Sequence, residues 1–203
     1  MITVLDYGLG NVAAFVNIYK RLNFPVEVAT TSSQLLGAKR IILPGVGAFD
    51  WAMSRLNESG MRECLDDLVL KDRTPVLGVC VGMQMMAKKS DEGKLPGLGW
   101  IDAEVKRFDN AGFNQRTHLP HMGWNDVNPR RSDCLFKGLS SPRFYFLHSY
   151  YFAAANSDDV LGVTDYCGDF ASVARCANVF GTQFHPEKSH QWGISLLKNF
   201  AEL

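Results

Sequence analysis

The sequence predicts an α/β fold: a mixed, mainly parallel sheet flanked by helices. Three observations lead there. Up to about residue 90, short aliphatic runs alternate with stretches of helical spacing. Glycine, proline or polar residues punctuate the carboxyl ends of those runs. From about residue 98 the pattern changes to strand-like runs with mostly short connections, closed by one helix. The first pattern implies parallel strands covered on both faces, and the second implies antiparallel additions to the same sheet.

Taken in order, "MITVLDY" reads as the first strand, and "NVAAFVNIYKRL" follows with helical spacing and Asn11 as N-cap. "PVEVAT" and "RIILPG" read as the second and third strands, the third ended by Pro44-Gly45. "MRECLDDLVL" puts Met61, Cys64, Leu65 and Leu68 on one helical face. "TPVLGV" reads as the fourth strand and "GMQMMAKK" as its helix. "WIDAEVKRF", "RFYFLHSYYF", "ASVARC" and "NVFGTQF" read as the later strands, and "WGISLLKNFAEL" as the last helix. No repeat, low-complexity tract or long linker divides the chain, so residues 1–203 are expected to form one domain.

Composition narrows the function. Net charge is zero, with 21 residues of each sign, which argues against a nucleic-acid surface as the main activity. The N-terminus lacks the basic segment of a secretory signal, and no apolar run approaches the roughly 20 residues of a membrane span. Five cysteines at irregular spacing, without C-x-x-C, argue against a disulfide framework or zinc site and for a reducing cytoplasmic setting.

In open parallel sheets, ligands bind beyond the carboxyl ends of the strands. Three polar or glycine-rich tips lie there: residues 6–11, 44–47 and 78–82. All three are expected to face one pocket. The third tip, within "VLGVCVGMQMM", carries Cys80 between a buried strand and a helix start, with Gly78 and Gly82 two residues away on either side. A structural thiol behaves as a small hydrophobe and needs no glycine frame, whereas a nucleophile on a tight turn does.

A thiol nucleophile needs a base. Among five histidines, His185 has the most informative context, "GTQFHPEKS". Pro186 biases His185 toward extended backbone, and in extended chain residues i and i+2 point the same way. His185 and Glu187 then project together, as a base and its orienting carboxylate require.

Gly78-Val79-Cys80-Val81-Gly82 with His185-Pro186-Glu187 resembles the class I glutamine amidotransferases, which have a flavodoxin-like fold. "DYGLGN", "PGVGAF", "GMQ", "PHMGWN", "FLHSYYF" and "FGTQFHPEKS" narrow the resemblance to the glutaminase subunits of imidazole glycerol phosphate synthase. The matching stretches spread from residue 4 to residue 200. The resemblance implies that Cys80 attacks the side-chain amide of glutamine, with His185 and Glu187 completing the triad. It implies an oxyanion hole from the backbone N–H groups of Val81 and Val46, the latter after rotation of the Gly45–Val46 peptide. It assigns the glutamine pocket to Gly47, Gln84, Ser149 and Tyr150. It turns Asn11, His121, Trp124, Asn125 and Lys188 toward a partner subunit, a (β/α)8-barrel cyclase of the HisF type in a heterodimer. Neither cofactor nor metal is implied.

Rival readings exist. Gly8-Leu9-Gly10-Asn11-Val12-Ala13 fits G-x-G-x-x-A after a strand, with Glu27 about where a ribose-binding acid would stand. A nicotinamide or flavin enzyme would use that loop but leave Cys80, His185 and Glu187 idle. A non-enzymatic subunit of this fold would be expected to lose a triad residue, and a cysteine protease or deglycase has no use for Gln84 and "PGVG". Within the resemblance the chain departs mildly: Val81 stands where leucine is usual, and Trp100, His190 and Trp192 stand where smaller or different residues are expected. Those three residues raise the alternative of an ammonia-supplying subunit for a sugar-modifying synthetase of surface polysaccharides.

Overall fold

A computed structural model describes residues 1–109 and 118–203. Its strands are β1 (Ile2–Leu5), β2 (Val26–Ala29), β3 (Ile41–Gly45), β4 (Val76–Cys80), β5 (Lys89–Ser90), β6 (Ala103–Arg107), β7 (His121–Asp126), β8 (Asn128–Pro129), β9 (Arg143–His148), β10 (Tyr150–Ala154), β11 (Val160–Asp165), β12 (Asp169–Cys176) and β13 (Val179–Thr182). Its helices are α1 (Val12–Arg21), α2 (Ser32–Leu35), α3 (Phe49–Glu58), α4 (Arg62–Asp66), α5 (Val81–Met85) and α6 (His190–Ala201).

The main sheet runs β2-β1-β3-β4-β13-β12-β10-β6-β5, with β11 and β8 attached through β12. The segment β2-β1-β3-β4-β13 is parallel throughout. Its order is that of a flavodoxin-like doubly wound sheet. Every residue of β1, β3, β4 and β13 is buried, as expected of aliphatic runs covered by helices on both faces. Helices α1 and α6 pack together, and the Tyr19 hydroxyl donates to Leu197 O between them.

Several sequence expectations change. "RFYFLHSYYF" is not one strand: β9 and β10 flank Ser149, and β9 leaves the main sheet to pair antiparallel with β7 in a separate two-stranded sheet. β7 is "HMGWND", a strand that its aromatic and polar composition conceals. "NVFGTQF" gives β13, which lies parallel to β4 instead of extending the sheet in antiparallel sense. Residues 49–58, to which the sequence pattern assigns no element, form α3. Its buried Phe49, Ala52, Met53 and Leu56 have the helical spacing i, i+3, i+4, i+7. "GMQMMAKK" does not sustain a helix past Met85, because the carbonyls a longer helix would use accept from the next loop. Leu98 N–H donates to Met85 O, Ile101 N–H to Met86 O and Gly99 N–H to Ala87 O. "MRECLDDLVL" is helical but widens after Asp66 into a π-turn over Asp67–Lys71. β11 is not among the strands read from the sequence.

Candidate active site

Register explains how the site assembles. β3 and β4 run side by side so that Gly45 is opposite Cys80. On the other side, Thr182 of β13 is opposite Val79. Cys80 is the last residue of β4, with φ 56° and ψ −112°, and α5 begins at the next residue. A non-glycine residue in this region carries strain of order 1–3 kcal/mol, a cost found mainly at functional sites. Three glycines accommodate the turn. A Cβ on Gly82 would collide with Leu43 O, one on Gly45 with the Gly82 backbone nitrogen, and one on Gly78 with Gly82 O and the Met86 side chain. The glycine frame read from the sequence is therefore a steric requirement of bringing β3 against the start of α5.

Beyond β13 the chain turns at Pro186–Lys188. The His185 backbone is extended at φ −100°, ψ 93°, and Glu187 Oε1 lies 2.8 Å from His185 Nδ1. Both side chains are 3% exposed. Glu187 Oε2 is buried and has no partner among the described residues, which leaves the imidazole as this carboxylate's counterpart. Burial alone would lower the His185 pKa. The hydrogen bonds to Cys80 and Glu187 overcome it and push the imidazole up to about 10. The imidazole therefore holds its proton strongly beside the Cys80 sulfur. Ser189 fixes the turn, donating from its hydroxyl to His185 O at 2.6 Å and accepting from Tyr145 N–H at 3.0 Å.

Cys80 and His185 open into a cavity of about 310 Å³, at the small end of the range for ligand sites. Its lining includes Val46, Gly47, Val81, Gln84, Ser149, Tyr150 and Lys188, together with Glu92. Gln84 Nε2 donates to Tyr150 O at 3.1 Å and to Gln183 Oε1 at 3.0 Å. With both N–H groups engaged, the group it can offer a ligand is the Oε1 acceptor. Glu92 and Lys188 bring opposite charges to the same cavity. The tip at residues 6–11 does not reach it, contrary to expectation. A Cβ on Gly10 would collide with Pro44 Cβ, and one on Gly8 would crowd Arg55. Glu27 accepts from Thr3 Oγ1 within the sheet at 2.9 Å. That packing also closes the loop on which a dinucleotide enzyme would depend. Tyr7 serves from behind: its hydroxyl donates to Pro44 O at 2.7 Å, where the loop of residues 44–47 begins. Burial, then the Cys80 charge, hold its pKa well above the ordinary value.

Residues 3–203 match the family profile described as "Glutamine amidotransferase class-I". The chain belongs to the class I glutamine amidotransferases. It is 58% identical over its whole length, and the relative's, to the imidazole glycerol phosphate synthase subunit HisH of Bdellovibrio bacteriovorus. It is 50% identical, again end to end, to HisH of Leptospira interrogans. It is similar in fold to a solved glutamine amidotransferase at TM-score 0.76 and 23% identity, covering 100% of this chain and 99% of that one. A structure of PurLQS from Thermotoga maritima gives TM-score 0.73 at 15% identity, covering 99% and 97%.

In this amidotransferase the residues expected at a partner surface divide. Asn11 is exposed, and its side chain caps α1 at Ala14 N–H. Trp124 is 38% exposed, and Lys188 is exposed at the cavity mouth. His121 is not at the surface: at 3% exposure its side chain turns inward from the start of β7, its ring stacked on Phe146 and Tyr166. It belongs to a relay. Asn125 Nδ2 lies 3.3 Å from His121 Nε2, His121 Nδ1 lies 3.0 Å from His148 Nε2, and His148 Nδ1 lies 2.8 Å from Tyr150 O. Tyr150 O can only accept, so His148 carries its proton on Nδ1, and His121 must donate from Nδ1 in turn. Burial holds both rings neutral, His121 at about 4 and His148 at about 3, the latter helped by the neighbouring His121 and His185.

Trp100 is also corrected. It is buried, and its indole N–H donates to Asp66 Oδ1 at 2.7 Å, so it faces the interior. His190 and Trp192 do meet Trp124; the His190 ring stacks on it with centroids 5.3 Å apart.

Sequence reasoning missed Tyr7, Glu92, His148, Gln183 and Ser189. Glu92 sits in "SDEGK", which reads as a solvated loop. Ser189 had a signal, a hydroxyl residue ending "HPEKS" just before a helix.

Proposed function

We propose that this chain is the glutaminase subunit of an imidazole glycerol phosphate synthase, with residues 1–203 as one amidotransferase domain and a HisF-type (β/α)8 cyclase as its partner in a cytoplasmic heterodimer. The observation that carries the reading is Cys80, held at positive φ beside an imidazole braced by Glu187 at 2.8 Å. The identity of 44–58% to HisH subunits along the entire chain supports the pathway.

In this reading His185 takes the Cys80 thiol proton, the sulfur attacks the carboxamide carbon of glutamine, and the carbonyl electrons move to oxygen. The oxyanion accepts from Val81 N–H and, once the Gly45–Val46 peptide is rotated, from Val46 N–H; one such donor is worth about 3–4 kcal/mol. Collapse expels ammonia with a proton from His185 and leaves a thioester. Water deprotonated by His185 then attacks, releasing glutamate and restoring the thiol. Glutamine also carries an ammonium and a carboxylate. Glu92 and the Gln84 Oε1 acceptor suit the first, and the backbone of residues 149–150 with Gly47 closes round the amino acid. Lys188 has no carboxylate within ion-pairing distance among the described residues; an acidic group on the cyclase would complete it.

The test is growth of a histidine auxotroph lacking its own glutaminase subunit, on limiting ammonium. Growth with this chain, and none with its Cys80→Ala variant, is expected. Failure with soluble protein would favour the polysaccharide alternative, whose remaining marks are His190 and Trp192 beside Trp124.

A further inference from the structure

Two carboxylates tie opposite walls of the pocket together. Phe49 and Asp50 open α3 directly after the loop of residues 44–47. The Phe49 N–H donates to Glu92 Oε2 at 2.9 Å. In return, Asp50 Oδ2 accepts from Lys94 N–H at 2.8 Å, and Asp50 Oδ1 accepts from Leu95 N–H at 3.0 Å. Ala48, the N-cap position of α3, has no side chain able to cap, so the Glu92 carboxylate takes that place at the positive end of the helix. Between the two halves lies Gly93, where a Cβ would collide with the Asp50 carboxylate. Glu92 lines the pocket and Asp50 does not.

We infer that Asp50 is a positioning residue for substrate recognition: it clamps residues 92–95 so that Glu92 faces the bound amino acid at a fixed distance from the oxyanion loop. The inference rests on the glutaminase reading. A carboxylate accepting two backbone N–H groups from the far loop defines both its height and its orientation, which a single contact could not. Glu92 is itself committed through one oxygen to α3, so the clamp fixes the direction of the other. Loss of Asp50 frees the loop and leaves the Cys80 turn, built from β3, β4 and α5, as it was.

The test uses the full chain and reads Cys80 carbamidomethylation by iodoacetamide, followed by mass spectrometry, with and without L-glutamine. The unprotected rate reports the nucleophile; the glutamine concentration that halves it reports the pocket. Asp50→Asn is expected to raise the half-protecting concentration at least tenfold and leave the unprotected rate within twofold. Gly93→Ala, which drives a methyl into the same carboxylate, is expected to show the same split. The double variant should be no weaker than the weaker single one, because both break one clamp. An unchanged half-protecting concentration in both variants, or a parallel fall of the unprotected rate, would overturn the inference and leave the glutaminase reading standing. Absence of glutamine protection in the wild-type chain would overturn both.

Discussion

The two walls of the pocket are held by different physics. On the Cys80 side, geometry comes from backbone packed on backbone: Gly45, Gly78 and Gly82 let β3, β4 and α5 approach closely enough that no methyl group fits. On the Glu92 and Tyr150 side, side-chain hydrogen bonds between residues far apart in sequence set the shape: Glu92 to Phe49, Asp50 to Lys94 and Gln84 to Tyr150. The first wall can only be broken by steric intrusion. The second can be loosened one bond at a time. Under the proposed glutaminase reading, a chain built this way can vary substrate affinity without disturbing Cys80.

The largest expected effect tests whether the glycine-built wall exists to present Cys80. Cys80→Ala should abolish glutamine hydrolysis and leave ammonium-driven synthesis by the complex intact; wild-type glutaminase turnover in this variant would end the assignment. His185→Ala should cost about 10⁴-fold, the scale for breaking a serine triad, and Glu187→Gln less than Cys80→Ala, since Glu187 orients and does not react.

Next comes the wall itself. Gly82→Ala forces a methyl against Leu43 O. Overpacking of this kind costs about 1–3 kcal/mol, a fall of roughly 2–12 °C in Tm for a chain of this size, and glutaminase activity should fall with it. Asp50→Asn on the other wall should change Tm far less. Equal Tm losses in a calorimeter would erase the distinction between the walls.

Tyr7→Phe probes the seam between them. It leaves Pro44 O buried without its donor, a loss of about 1–3 kcal/mol, and should lower glutaminase turnover about tenfold through the oxyanion loop while iodoacetamide labelling of Cys80 stays unchanged. Labelling that slows in step with turnover would place Tyr7 at the nucleophile instead.

The smallest effect is on pH dependence. His121 and His148 titrate near 4 and 3 when folded, against about 6.5 unfolded. Between those values the unfolded chain binds more protons, so their stabilising contribution is complete above about pH 6.5 and is lost as pH falls toward the folded values. His185 has the opposite sign: raised to about 10, it contributes fully below pH 6.5 and the contribution fades as pH rises through the folded value. Thermal melts between pH 5 and 10 check both limbs. His121→Gln should flatten the acid limb and Cys80→Ala the alkaline one.

The same division decides what the sequence disclosed. Gly78, Cys80 and Gly82 lie within five residues, and His185 and Glu187 within three, so local spacing carries the backbone-built wall. The parallel strands were legible because burial on both faces leaves continuous aliphatic runs. Glu92 and Asp50 are 42 residues apart, and His121 and His148 are 27 apart. Nothing in either neighbourhood announces its partner. β7 hid because its inward-facing His121 and Gly123 lack an aliphatic signature. α3 was legible in principle, for Phe49, Ala52, Met53 and Leu56 have the right period. Its start is harder to see, because Ala48 gives no N-cap signal and the cap comes from Glu92, far along the chain.

The histidine relay has a consequence for traffic of protons. Each ring donates through Nδ1 and accepts through Nε2, so the chain from Asn125 to Tyr150 points in one direction. Its last acceptor is a backbone carbonyl, which cannot pass a proton onward. The relay is therefore a dead end: it transmits orientation and blocks charge.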